Sequence, residues 1–201
     1  MSLRLIFRPA ITLGVALLSG IAAADSSTIS IDATSFPCIS QLTAVRGFFV
    51  GNLRGNLDAT LKVARSPTGG LYPPGSFVQL IPTEVMVKQT SGTSPKTRDW
   101  EFFEIAVDKS GSRIVKRGFA DMFGSDGGNC FGCHSLARPE WDTICESNHG
   151  CAPIPETPAM IGALQRTDPR CKNSGRVSSA DAAALRALDE VERRSAVPVP
   201  K

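Results

Sequence analysis

From Ile39 to Leu61 apolar residues recur every three or four positions: Ile39, Leu42, Val45, Phe49, Leu53, Leu57 and Leu61. That period is helical. It predicts a helix over Ile39–Arg65, weakened or broken at Gly47, Gly51 and Gly55. The pattern then changes. Ser66-Pro67-Thr68-Gly69-Gly70 and Tyr72-Pro73-Pro74-Gly75 mark turns. Between Ser76 and Gln89 the β-forming residues Phe77, Val78, Leu80, Ile81, Val85 and Val87 predict strand, and Pro82 predicts an edge or a bulge. Thr90–Arg98 is a polar loop. Trp100–Val107 (WEFFEIAV) predicts a strand, Asp108-Lys109-Ser110-Gly111 a hairpin turn, and Arg113–Phe119 the returning strand. Gly124–Gly128 is a flexible approach, and Cys133–Leu136 opens a short helix that Pro139 ends. Near the C-terminus, Ser179–Arg194 carries Ala184, Leu185, Leu188 and Val191 on one face, with Ser178 or Ser179 as cap, and predicts a helix over 179–194. Val197-Pro198-Val199-Pro200 is a frayed tail. The class expected is α+β, a small antiparallel sheet with flanking helices.

The N-terminus adds a compartment. Arg4 and Arg8 precede an apolar run from Ile11 to Leu18, and Ala22-Ala23-Ala24 offers a cleavage site. Residues 1–24 therefore read as a secretory signal peptide; the apolar run is short for a membrane span. Residues 25–201 form one domain, with its core over about 36–172 and a loose polar lead-in at 25–35. The product is expected to be soluble and periplasmic. The formal charge of +3 includes Arg4 and Arg8. Once they are removed the balance is close to neutral, which gives no reason to expect nucleic acid or an anionic membrane as partner.

All six cysteines follow the leader. The sequence Asn129-Cys130-Phe131-Gly132-Cys133-His134 is a CxxCH motif. Its two thiols lie on one turn, where each can add across a haem vinyl group, and His134 follows as the proximal iron ligand. The cofactor expected is one covalently bound haem c, held by Cys130, Cys133 and His134. Two rivals remain. Cys130, Cys133, Cys145, Cys151 and His149 could supply a tetrahedral zinc site. The CxxC pair could also be a redox disulfide, although the βαβ order of a thioredoxin-like domain is missing. With Cys130 and Cys133 spent on haem, Cys145–Cys151 and Cys38–Cys171 are the pairing expected among four cysteines that allow three pairings. His149 reads as a surface histidine.

A β-rich middle, the aromatic strand Trp100-Glu101-Phe102-Phe103 and a late CxxCH together resemble the cytochrome P-460 family, which includes cytochrome c′-beta. Residues 25–129 precede the motif, whereas in most small helical c-type cytochromes it lies near the N-terminus. The resemblance covers about Tyr72–Leu136. It implies a dimeric, mainly antiparallel protein with a five-coordinate haem c and an open distal face. Its P-460 members oxidise hydroxylamine and bond a lysine to the haem; its c′-beta members bind nitric oxide. The lysine position registers here on Leu80, in Gly75-Ser76-Phe77-Val78-Gln79-Leu80, and the next lysine is Lys88. An alkyl side chain there implies a dry pocket that takes a neutral diatomic ligand and favours a gas-binding or electron-carrying protein with a redox partner; an oxidoreductase acting on hydroxylamine or nitric oxide is the alternative, and a zinc- or disulfide-stapled structural domain the second.

Other residues have two readings. Phe102, with Trp100, Phe103 and Phe119, lines the haem pocket or is ordinary sheet core. Glu84 and Lys88 share the face of Leu80 or are exposed charges on an edge strand. Met86, Met122 and Met160 are sixth-ligand candidates or core packing. Arg117 and Arg138 are propionate partners or solvated surface residues.

Overall fold

The computed structural model describes residues 29–124, 127–172 and 177–195. The expected signal peptide, the Pro-rich tail and the centre of the Gly124–Gly128 approach lie outside the described residues. Among the described residues no helix is long and apolar enough to cross a membrane.

Six strands form one antiparallel sheet in sequence order: β1 (Thr43–Val45), β2 (Phe48–Asn52), β3 (Ser76–Gln79), β4 (Glu84–Lys88), β5 (Trp100–Asp108) and β6 (Gly111–Gly118). Four helices accompany it: α1 (Leu57–Ala64), α2 (Cys130–His134), α3 (Pro158–Arg166) and α4 (Ser179–Ser195). The architecture is α+β, as the pattern implied, and the β5–β6 hairpin and α4 fall where they were expected.

The helix expected over Ile39–Arg65 is a correction. Its first two thirds form a short 3-10 turn, then β1 and β2, and only Leu57–Ala64 is helical. Val45, Phe48 and Val50 are buried, and this segment pairs with β3 through Phe49–Gln79, Val50–Val78 and Gly51–Phe77. β-branched and aromatic side chains with cross-strand partners outweigh a helical period broken by three glycines. Gly51 belongs to the sheet for a steric reason. A Cβ there would lie 2.3 Å from the Phe77 ring.

Pro82 also needs correcting. It sits in the β3–β4 connection, so neither strand has to accommodate it, and β4 is a central strand. The irregularity in this part of the sheet is instead a bulge at Glu104/Ile105. The lead-in is less loose than expected, since Ile29 is buried and Ile31 packs against core residues. Helix α3 was not anticipated, though Thr157 caps it and Pro158 opens it.

Both faces of the sheet are covered. On one, Val45, Phe48, Val50, Val78, Met86, Trp100 and Phe102 pack with Tyr72, Met122, Ile144, α1 and the start of α2. On the other, Phe77, Val85, Val87, Phe103 and Ile105 surround Phe36, whose ring meets Phe103 edge-on at 5.3 Å. Edge-to-face contacts of this kind add to the burial of the rings themselves.

Two disulfides close the structure, Cys38–Cys171 and Cys145–Cys151, which is the expected pairing. The first lies beside a buried ion pair. Arg170 contacts Asp168 at 2.6 Å, and Asp168 also accepts the Ile39 N–H at 2.9 Å. Arg170 reaches on to the Phe36 carbonyl and the Ser112 hydroxyl, so the chain after α3 is tied to the start of the domain.

Candidate functional site

Helix α2 holds the CxxCH motif. Asn129 caps it by accepting the Gly132 N–H, and the Asn129 amide donates to the Ala120 carbonyl at 3.0 Å. The Cys130 N–H donates to the Met122 carbonyl at 3.0 Å. These bonds lash the short helix to the segment that follows β6. Cys130 packs partly buried against the Phe102 side of the sheet, Cys133 is exposed, and both lie outside the two disulfides.

His134 ends the helix against the sheet. Its ring centroid is 5.4 Å from that of Phe102. Its Nδ1 lies 2.8 Å from the Thr143 carbonyl. A carbonyl can only accept, so Nδ1 carries the proton, and in the neutral ring Nε2 carries the lone pair. Burial lowers the imidazole pKa from its ordinary value, against the opposing effect of the Thr143 bond. In its neutral form the ring is thus in the tautomer that offers Nε2 as a metal ligand. Among the described residues Nε2 has no hydrogen-bond partner. Lys116, Arg117, Gly118, Asp121, Met122 and Phe123 line a cleft of about 420 Å³ at the end of β6, and none of the CxxCH residues is among its lining.

The Thr143 carbonyl is held by an unusual backbone. A 3-10 turn at Pro139–Trp141 ends in two successive left-handed residues, Asp142 at φ +49° and Thr143 at φ +67°. For non-glycine residues each costs on the order of 1 kcal/mol, and a β-branched threonine is the less tolerant. Asp142 is fully buried. Its carboxylate accepts Lys88 Nζ at 2.8 and 2.9 Å and the Tyr72 N–H at 2.9 Å. Lys88 also donates to the Arg98 carbonyl at 2.6 Å and lies 5.3 Å from the Trp100 ring centre.

Several expectations change at this point. Lys88 is not an exposed charge on an edge strand; it is buried on a central one. His149 is not a surface histidine. It is buried, stacks on Trp141 at 3.7 Å, and its Nδ1 donates to the Ile144 carbonyl. Phe103 lies on the face away from His134, and so does Arg117, which pairs with Glu101 at 2.6 Å and covers the Phe103 ring. A haem on the His134 face would therefore lie across the sheet from both. Arg138 pairs with Glu140 at the surface.

Trp100, Phe102, Met86 and Met122 do gather on the His134 side. Met160 stands apart in α3, where its sulfur accepts the Thr157 N–H. Leu80 lies one residue beyond β3, a third exposed, and its carbonyl accepts the Gln165 amide at 2.7 Å. Glu84 is exposed at the start of β4, and Phe119 is half-buried just past β6.

The zinc and redox rivals can be tested on the same geometry. Zinc would need the thiolates of Cys145 and Cys151, which are bonded to each other. Among the described residues the one group spaced like metal ligands is Cys38, Asp168 and Cys171, and its sulfurs form a disulfide. The sheet is antiparallel throughout, which is not the parallel order that a thioredoxin-like site requires. Two thiols one helical turn apart, a histidine with its Nδ1 already tied to a carbonyl, and an apolar floor at Phe102 fit haem c. Sequence reasoning missed Asp142 and Thr143, since nothing local marks a backbone carbonyl as the partner of a distant ring. Comparison of the chain with protein families, with curated proteins and with solved structures finds no match.

Proposed function

We propose that the protein is an exported, periplasmic monohaem c-type cytochrome of the P-460 and cytochrome c′-beta type, one that binds a neutral diatomic gas such as nitric oxide or carries electrons to a redox partner. The observation that carries this reading is His134. It sits at the end of a CxxCH turn with Nδ1 tied to the Thr143 carbonyl at 2.8 Å and Nε2 left to ligate. Haem c would supply an iron that takes a small ligand or passes an electron. Cys130 and Cys133 would anchor it, His134 Nε2 would hold the iron, and Phe102 with its neighbours would keep water from that side.

Lys88 supports the gas-binding or electron-carrying reading over hydroxylamine oxidation. It is the first lysine after Leu80, and its ammonium is held by Asp142 and the Arg98 carbonyl. Forming a lysine–haem bond through it would mean dismantling a buried ion pair.

The test is an absorption spectrum of the exported protein, with and without alkaline pyridine, after expression with haem-c maturation. A c-type pyridine spectrum and a high-spin ferrous form that takes up nitric oxide are expected. A strongly red-shifted Soret band would restore the cross-linked, hydroxylamine-oxidising alternative. A low-spin spectrum would point to methionine ligation and plain electron transfer. Absence of haem would overturn the reading.

A further inference from the structure

The Lys88–Asp142 pair does more than fill a gap in the core. It lies directly behind the carbonyl that orients His134. Asp142 and Thr143 hold two successive φ values that favour glycine, +49° and +67°. A strained pair of this kind persists only where its surroundings over-determine it. Here the surroundings are identifiable. Lys88 Nζ grips both oxygens of the Asp142 carboxylate, and the Tyr72 N–H grips one of them. The Thr143 hydroxyl donates to the Asp142 carbonyl at 2.6 Å, and the Ile144 N–H closes back on the Trp141 carbonyl at 2.9 Å. With the carboxylate pinned and the following turn closed, the peptide between Thr143 and Ile144 has one direction left to it, and its oxygen meets His134 Nδ1.

We propose that the buried Lys88–Asp142 ion pair is the positioning device of the site: through the left-handed Asp142-Thr143 turn it fixes the Thr143 carbonyl on His134 Nδ1, and so sets the tautomer and direction of the ring. Its significance for an iron site rests on reading His134 as the proximal ligand, whereas the coupling itself is a property of the chain alone. Neither Lys88 nor Asp142 hydrogen-bonds to the ring. They are positioning residues, and they link strand β4 to the imidazole. A firm Nδ1–H bond to an acceptor makes the ring a stronger donor at Nε2. Loosening it would weaken the iron–histidine bond and raise the reduction potential.

The variants are Lys88→Met, Asp142→Asn and the two together. Asparagine keeps the shape of aspartate and tolerates positive φ, and the double variant leaves no charge unpaired in the core. Val87→Ala is the control. It removes volume from the opposite face of the same strand and lowers stability without touching the pair.

The readout is the His134 Nδ1–H proton, observed by NMR on histidine-labelled protein and assigned apart from the His149 Nδ1–H, which bonds the Ile144 carbonyl of the same turn. The same measurement is made on the protein with haem, as its ferrous carbon monoxide form, or without it. Failure of the haem reading is thus seen separately, as missing haem, and leaves this test intact. The parent should show a slowly exchanging Nδ1–H. In all three variants exchange should quicken by about tenfold or more, the scale of losing one hydrogen bond's net worth, while Val87→Ala leaves it unchanged. In loaded protein the iron–histidine stretch should fall and the potential rise in step. Exchange unchanged in the folded double variant would overturn the proposal, and so would an equal change in Val87→Ala.

Discussion

Replacing both Cys38 and Cys171 with Ala tests how the chain is held closed. The disulfide spans 133 residues. In the chain-entropy account, a cross-link of that length removes unfolded-state freedom equivalent to about 5 kcal/mol at 25 °C. Much of a native-state contribution is excluded, because the same junction is held by other bonds. Asp168 accepts the Ile39 N–H at 2.9 Å, and Arg170 donates to the Phe36 carbonyl at 3.0 Å and the Ser112 hydroxyl at 2.9 Å. The folded variant should therefore keep its structure while its unfolded state expands. The assay is urea unfolding followed by far-UV circular dichroism and Trp fluorescence, with both variant positions alanine so that no odd thiol remains. With a slope of about 2 kcal/mol/M the midpoint should fall by about 2–3 M, and the slope itself should rise as the unlinked chain exposes more surface. A loss below about 1 kcal/mol, or a native spectrum already short of helix, would refute the reasoning. The first outcome would show that the cross-link restricts the unfolded chain far less than its length implies, and the second that it acts on the folded state.

Acid should weaken the same junction. Burial pushes the Asp168 carboxyl up, but the Arg170 guanidinium and the Ile39 N–H outweigh it and hold the pKa below the ordinary 3.8. A depressed pKa gives stability that is present above the unfolded value and is lost as pH falls through the folded one. Urea midpoints should thus drop more steeply below pH 4 in the parent than in Asp168→Asn, and equal slopes would contradict this. Phe36→Ala should cost about 3–5 kcal/mol, since the ring is 1% exposed and packs on Phe77 and Phe103. It should leave the absorption spectrum untouched, because that core faces away from His134; a shifted Soret band would count against the two-face arrangement. His134→Ala should retain covalent haem with altered ligation, whereas Cys130→Ala with Cys133→Ala should yield none, as read from denaturing gels stained for haem.

What the sequence made legible was local. The CxxCH turn, the β5–β6 hairpin with its Asp108–Gly111 turn, the seven-residue Cys145–Cys151 loop and the capped helix α4 all depend on neighbours a few positions apart. The segment from Ile39 to Leu53 was misread because its apolar residues fit a helical period, while Val45, Phe48 and Val50 found their partners across a sheet that only the tertiary structure supplies. Lys88 was misread for a related reason. A lysine near the end of a short strand is usually exposed, and the carboxylate that justifies burying this one lies 54 residues away in a turn with no motif. The alternation Met86–Lys88 and Trp100–Phe102 did contain a signal, since it puts the lysine on the same face as a tryptophan and a phenylalanine.

That alternation also explains how the sheet keeps its register. β3 is buried at every position and β4 at all but its first, so apolar residues point to both faces. A slip by one residue would exchange Val87 for Lys88 and Phe103 for Phe102 at little apolar cost. The charged residues discriminate instead. Lys88 finds Asp142 on the His134 side, whereas Glu101 finds Gln89 at 2.8 Å and Arg117 at 2.6 Å on the other. After a slip the ammonium would enter the cluster around Phe36 and the Glu101 carboxylate would turn toward Tyr72 and Met86, each stripped of its partner at several kcal/mol. The ion pairs add little net stability in the correct register, but they make the neighbouring ones untenable. The same pairing that orients His134 thereby also decides that Phe102, rather than Phe103, lies beneath it.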